Sequence, residues 1–153
     1  MAHFAKIVEK VNSETGETEW IVERVNVVDN NLPTSDGPLG ENDMHPDGEA
    51  WMVSRHPGTT WKQTSYNNNF RGRYCNIGDK YDPVNDVFIP FKPFPNWAWS
   101  DSKNNWVAPV ADPSVNANEY GANWDQENNR WSGVNNDGVG VYWDPDTSSW
   151  KNQ

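Results

Sequence analysis

Four stretches of this chain open and close on an aromatic residue with the same spacing: Tyr81 to Phe88, Trp99 to Trp106, Trp124 to Trp131 and Trp143 to Trp150. Partners seven positions apart enclose an even-numbered loop. In an antiparallel hairpin this sets the two rings directly opposite each other on one face. Such facing pairs stabilise a hairpin by roughly 0.2–1 kcal/mol relative to alanines. The residues inside each frame agree. Asp82-Pro83 and Asp144-Pro145 suit the first two places of a type I turn, while Asn85, Asn104, Asn105, Asn128 and Asn129 tolerate the left-handed backbone that longer loops need. The frames start 18, 25 and 19 residues apart, so they form a divergent array and not a strict solenoid.

A core built this way needs few aliphatic residues. Only 35% of the 153 residues are hydrophobic, but ten Trp, five Tyr and five Phe each bury a large area. The remaining segments also read as β. Phe4, Ile7, Val8 and Val11 lead through the polar turn Asn12–Gly16 to the β-branched run from Trp20 to Val25, an N-terminal hairpin. Residues 29–48 hold several Gly and Pro breaks and read as a long loop. Glu49–His56 has room for about two helical turns before Pro57-Gly58. Pro90-Phe91-Lys92-Pro93-Phe94-Pro95 cannot donate ladder bonds at three places and reads as a strap with Phe91 and Phe94 inserted beneath it. The expected fold is therefore all-β and hairpin-rich, with at most one short helix. A β-rich body is expected over 1–110 and a Trp-hairpin extension over 111–153, with a weak boundary at Asp112–Asn118.

Charge and motifs narrow the function. The net charge of −10 repels phosphate backbones, so a nucleic-acid partner is not expected. No run approaches the roughly 20 apolar residues of a membrane helix, and the first ten residues lack the pattern of a secretory leader. Synthesis in a host cytoplasm fits. Cys75 stands alone and reads as a small buried hydrophobe. His3, His45 and His56 have no ligand-spaced partners, and Asp43–Ser54 fails as a calcium loop because His45 and Ser54 occupy oxygen-ligand positions. No nucleophile elbow, phosphate loop or metalloprotease motif is present, and the Asp residues fall mostly at turn positions. A non-enzymatic role without metal or cofactor is the expectation.

The block Trp61-Lys62-Gln63-Thr64-Ser65-Tyr66-Asn67-Asn68-Asn69-Phe70-Arg71-Gly72-Arg73-Tyr74, continued by Ile77-Gly78-Asp79, Tyr81–Phe88 and Pro93–Trp97, resembles small virion structural proteins of marine tailed bacteriophages, especially those infecting cyanobacteria. The start Met1–Ala5 is similar to theirs as well. The resemblance covers about a third of the chain. It implies a structural protein of the virion, a head-decoration or tail-associated subunit with other phage structural proteins as partners, present in many copies or as a homo-oligomer. It brings no catalytic residues.

Phe70, Arg71, Arg73, Trp97 and Trp99 are the residues expected to dock partners or anchor the core. Arg71 and Arg73 are expected on one side of a strand, as salt-bridge donors to a partner or to the acids at Asp79, Asp82 and Asp86, with the internal pairing favoured. The alternative reading is an adhesin whose exposed Trp124, Trp131, Trp143 and Trp150 contact host polysaccharide.

Overall fold

The computed structural model describes residues 1–31, 39–40, 42–45 and 47–153; the loop expected over 29–48 therefore lies partly outside the described residues. The described chain is mostly antiparallel strand with one short helix, the all-β class expected. It divides into two compact units, Met1–Phe91 and Lys92–Gln153.

In the first unit, β1 (Ala2–Val11) and β2 (Thr18–Val28) form the N-terminal hairpin, with Val11 opposite Thr18. Asn12 builds the turn: its carboxamide oxygen accepts the amides of Glu14 and Thr15, and Gly16 takes a φ of 73°. The helix α1 (Gly48–Arg55) precedes β3 (Thr60–Thr64), and β4 (Lys80–Asp82) and β5 (Val87–Ile89) complete a sheet of order β3-β1-β2-β4-β5.

Strand β1 lies inside the sheet between β3 and β2, and its first half is covered on both faces. Ala2 and Phe4 point to a cluster with Met52 and Trp61, and Ala5 and Ile7 point to one with Val22, Cys75, Tyr81 and Phe88. Side chains alternate along a strand, so a strand covered on both sides carries apolar residues at consecutive places, as Phe4-Ala5 does. Helix α1 can lie close to β1 because Gly48 has no side chain; a Cβ there would sit 2.5 Å from the Phe4 ring. Cys75 is a buried hydrophobe, and burial pushes its thiol up to about 11.

The second unit contains the three tryptophan hairpins. Strands β6 (Ala98–Ser100) and β7 (Asn105–Val107) form a two-stranded sheet, while β8 (Asn123–Asp125), β9 (Arg130–Val134), β10 (Gly140–Asp144) and β11 (Ser149–Asn152) form a meander of order β11-β10-β9-β8. The backbone of Tyr120 lies directly on β9, where a Cβ on Gly133 would come 2.5 Å from the Tyr120 carbonyl oxygen.

The division at Phe91/Lys92 differs from the one expected near residue 110, and tryptophan contacts are the reason. Phe94 packs on Trp97, Trp97 meets Trp124 and Trp131, and the indole of Trp131 donates to the Val110 carbonyl. Residues 92–110 thus pack with the C-terminal hairpins. The strap also differs from expectation at Phe91, which is 74% exposed instead of tucked beneath it.

Candidate functional site

The aromatic frames place their rings as the spacing predicts. Tyr81 faces Phe88, Trp99 faces Trp106, Trp124 faces Trp131 and Trp143 faces Trp150 in the strand registers, with ring centroids 5.4–5.6 Å apart. The turns share one design. The second residue of each frame, Asp82, Ser100, Asp125 or Asp144, accepts backbone amides of the loop that follows. The sixth residue is left-handed in every frame: Asp86, Asn104, Asn129 and Ser148 have φ between 46° and 53°. Asn104 and Asn129 are therefore the asparagines the turns use. Asn85, Asn105 and Asn128 are not at the left-handed place; Asn85 and Asn128 instead bind the capping carboxylate through their side chains.

Ser148 is the least suited of the four to that conformation, because a left-handed residue other than Gly, Asn or Asp is strained by its Cβ. Ser148→Asn is expected to raise stability by roughly 0.5–1 kcal/mol in urea titration; an unchanged midpoint would count against strain there.

The capping carboxylates have an acid signature. Hydrogen bonds from Asn85, Asn128 and Thr147, each aided by loop amides, hold Asp82, Asp125 and Asp144 below the usual carboxylate value. Burial of Asp86 opposes its ionisation, yet hydrogen bonds from Tyr81 and Arg71 prevail and hold it low as well. A depressed folded-state pKa stabilises the fold above the unfolded value, near about 3.9, and that stability is lost as pH falls through the folded value. The urea midpoint is expected to be insensitive to these groups above about pH 5 and to fall steadily below about pH 4.

Arg71 does not lie on a strand. It and Gly72 are consecutive left-handed residues, with φ of 53° and 76°, so the chain turns sharply there and the expected strand-face pair with Arg73 does not form. The turn drives the Arg71 side chain inward, where it is 12% exposed. Its guanidinium donates to Glu49 of α1 at 2.6 Å, to Asp86 of the β4–β5 hairpin at 2.8 Å and to the Gln63 carbonyl of β3 at 2.8 Å. Asp86 also accepts the Tyr81 hydroxyl, and Glu49 accepts the Gln63 amide. Arg71 is thus an internal tie between three elements, and of the three acids expected as partners only Asp86 is one.

The other expected residues are partly buried. Phe70 is half-buried, and Arg73 has its Nε buried with no acceptor among the described residues. Trp97 packs against Phe94, Trp124 and Trp131, and Trp99 packs on Trp106 with its indole donated to Asp101. In the C-terminal hairpins, Trp124 and Trp143 are 7% and 5% exposed, which leaves no open ring face for a sugar. Trp131 and Trp150 are half-buried, and their indoles donate to the carbonyls of Val110 and Val115.

The first unit also brings together residues that have no local link in the sequence. Tyr66, in the turn after β3, stacks on His3 of β1 with centroids 5.6 Å apart and planes at 21°, and Tyr74 stands edge-on to His3 at 5.5 Å. Beside them Asp43 takes a φ of 60°, and its Oδ2 accepts the side-chain amides of Asn67 and Asn69 at 2.7 and 2.8 Å. His3, Asp43, Tyr66 and Asn67, with Thr64 and the flanking Met1, Asn30 and Leu39, line a hollow of about 200 Å³. The only sequence signal was the run Tyr66–Asn69, legible as a turn and nothing more.

No family model, curated protein or solved structure matches this chain.

Proposed function

We propose that this chain is a non-enzymatic structural subunit of a bacteriophage particle, a head-decoration or tail-associated protein that docks through aromatic and asparagine-rich surfaces. The observation that carries the reading is the resemblance of the block Trp61–Trp97 to small virion proteins of marine tailed phages. What supports it structurally is how that block is used. Its polar and aromatic residues hold one another: Trp61 and Phe88 are core, and Arg71 joins α1, β3 and the β4–β5 hairpin. Glu49 and Asp86 are both committed to those ties.

The same block presents apolar residues outward. Ile77 is 70% exposed, and its neighbour Asn76 donates its backbone amide to the buried Asp79, whose other oxygen accepts the amide of the exposed Phe91. One buried carboxylate thus fixes two backbone stretches that carry uncovered large side chains, the type of surface a partner subunit covers.

Mass spectrometry of purified particles tests the proposal. The chain is expected as a stoichiometric component in many copies, and its absence or trace level would refute the reading. Ile77→Asp with Phe91→Asp is expected to abolish incorporation while leaving the circular dichroism of the free protein unchanged; normal incorporation would move the docking surface elsewhere.

A further inference from the structure

A pyranose ring offers a binding site two surfaces: a face of C–H groups and a rim of hydroxyls. The face packs on an aromatic ring, and the rim pairs with carboxylate and carboxamide groups that accept and donate in one plane. The hollow beside Tyr66 holds both. Tyr66 is 68% exposed, with His3 stacked on one face and Tyr74 meeting it at a steep angle. Asp43 and Asn67 line the same hollow, and Oδ1 of Asp43 has no hydrogen-bond partner among the described residues.

The polar side is held in place beforehand. The Asp43 carbonyl accepts the side-chain amide of Gln63 at 2.7 Å, and the Gln63 side-chain oxygen accepts the His45 amide at 2.8 Å. Gln63 itself is fully buried, so the loop carrying Asp43 is locked onto β3. Two asparagine donors then share one carboxylate oxygen and leave the other without a donor among the described residues, in a residue whose left-handed backbone an aspartate tolerates. A simple tie between loop and turn needs neither the second asparagine nor an uncovered tyrosine.

We propose that this hollow binds one neutral hexopyranose unit, an end or branch of a polysaccharide, stacked on Tyr66 and hydrogen-bonded by Asp43 and Asn67. The size fits, since about 200 Å³ falls below the span of drug-sized pockets and suits a single ring. The charge selects neutral sugars: a free carboxylate oxygen takes hydroxyl donors, and a chain of net charge −10 repels uronic acids and sulfated sugars. This is a binding function separate from assembly, in a different unit from the tryptophan hairpins.

Saturation-transfer NMR on the full chain tests it, using methyl glucoside, methyl galactoside, methyl mannoside and glucuronate as probes. Transfer to the ring C–H protons of at least one neutral hexoside is expected, with an affinity on the order of 1 mM, and none to glucuronate. Tyr66→Ala and Asp43→Ala should each weaken binding about tenfold or more, while Tyr66→Phe keeps it. Asp43→Asn, which tolerates the left-handed backbone, serves if Asp43→Ala does not fold. No transfer from any neutral hexoside at about ten times that concentration would overturn the proposal. So would binding that survives in both the tyrosine and aspartate variants, or glucuronate bound as well as the neutral sugars. None of these readouts depends on incorporation into particles.

Discussion

Phe88→Ala is expected to lower stability by about 3–5 kcal/mol, the largest effect of any single truncation considered. Phe88 is fully buried, faces Tyr81 across the β4–β5 register with ring centroids 5.4 Å apart, and shares a cluster with Ala5, Ile7, Val22 and Cys75. Removing the ring empties space that strand backbones border, so little can collapse into it, and the cavity cost adds to the lost transfer energy. The Phe88 amide also donates to the Arg71 carbonyl, so strand and turn loosen together. Urea denaturation of the wild type and Phe88→Leu gives the scale: Leu restores most of the volume and is expected to recover more than half of the loss. A loss below about 1.5 kcal/mol for the alanine variant would mean that this cluster is not the organising core of the unit.

The second large effect is at Arg71. Arg71→Met is expected to cost about 2–3 kcal/mol, below the 3–5 kcal/mol typical of a fully buried broken pair, because the Asp86 side chain is 57% exposed and water can take over part of its solvation. Glu49 carries more of the loss. It is less exposed, and without the guanidinium Lys62, at 3.7 Å, is the cation left beside it among the described residues. Arg71→Lys retains the charge but cannot reach Glu49, Asp86 and the Gln63 carbonyl at once with a single ammonium group, so an intermediate loss is expected. Equal stability of the lysine variant and the wild type would show that charge alone, and not the forked geometry, makes the tie.

The two effects differ in how far the sequence foretold them. Tyr81 and Phe88 are seven residues apart, and their contact follows from spacing and turn chemistry because both partners belong to one hairpin. The same holds for Trp99, Trp124 and Trp143 with their partners, for the turn at Asn12–Gly16 and for the short helix ended by Pro57-Gly58. The sequence around Arg71 suggests a strand, since nothing in Phe70-Arg71-Gly72-Arg73 announces two successive left-handed residues; only Gly72 is suited to one. Its partner Glu49 lies 22 residues away, and Asp43 and Asn67 are 24 apart. Composition gave no means to choose these pairs among the 22 acids.

The position of the boundary shows the same limit. Asp112–Asn118 looks like a linker by composition, yet the carbonyls of Val110, just before it, and Val115, within it, receive the indoles of Trp131 and Trp150, 21 and 35 residues further on. By itself, then, the sequence determined the all-β class, the hairpins and the register of their aromatic pairs, because each depends on interactions within about eight residues, where alternation and turn preference act directly. Only the tertiary structure decided that the C-terminal tryptophans turn inward, that Arg71 ties α1 to the hairpin, and that Tyr66 meets Asp43 at one hollow. Those outcomes depend on strand order and on turns that redirect side chains, and loop closure over 20 or more residues leaves no periodic trace in the chain.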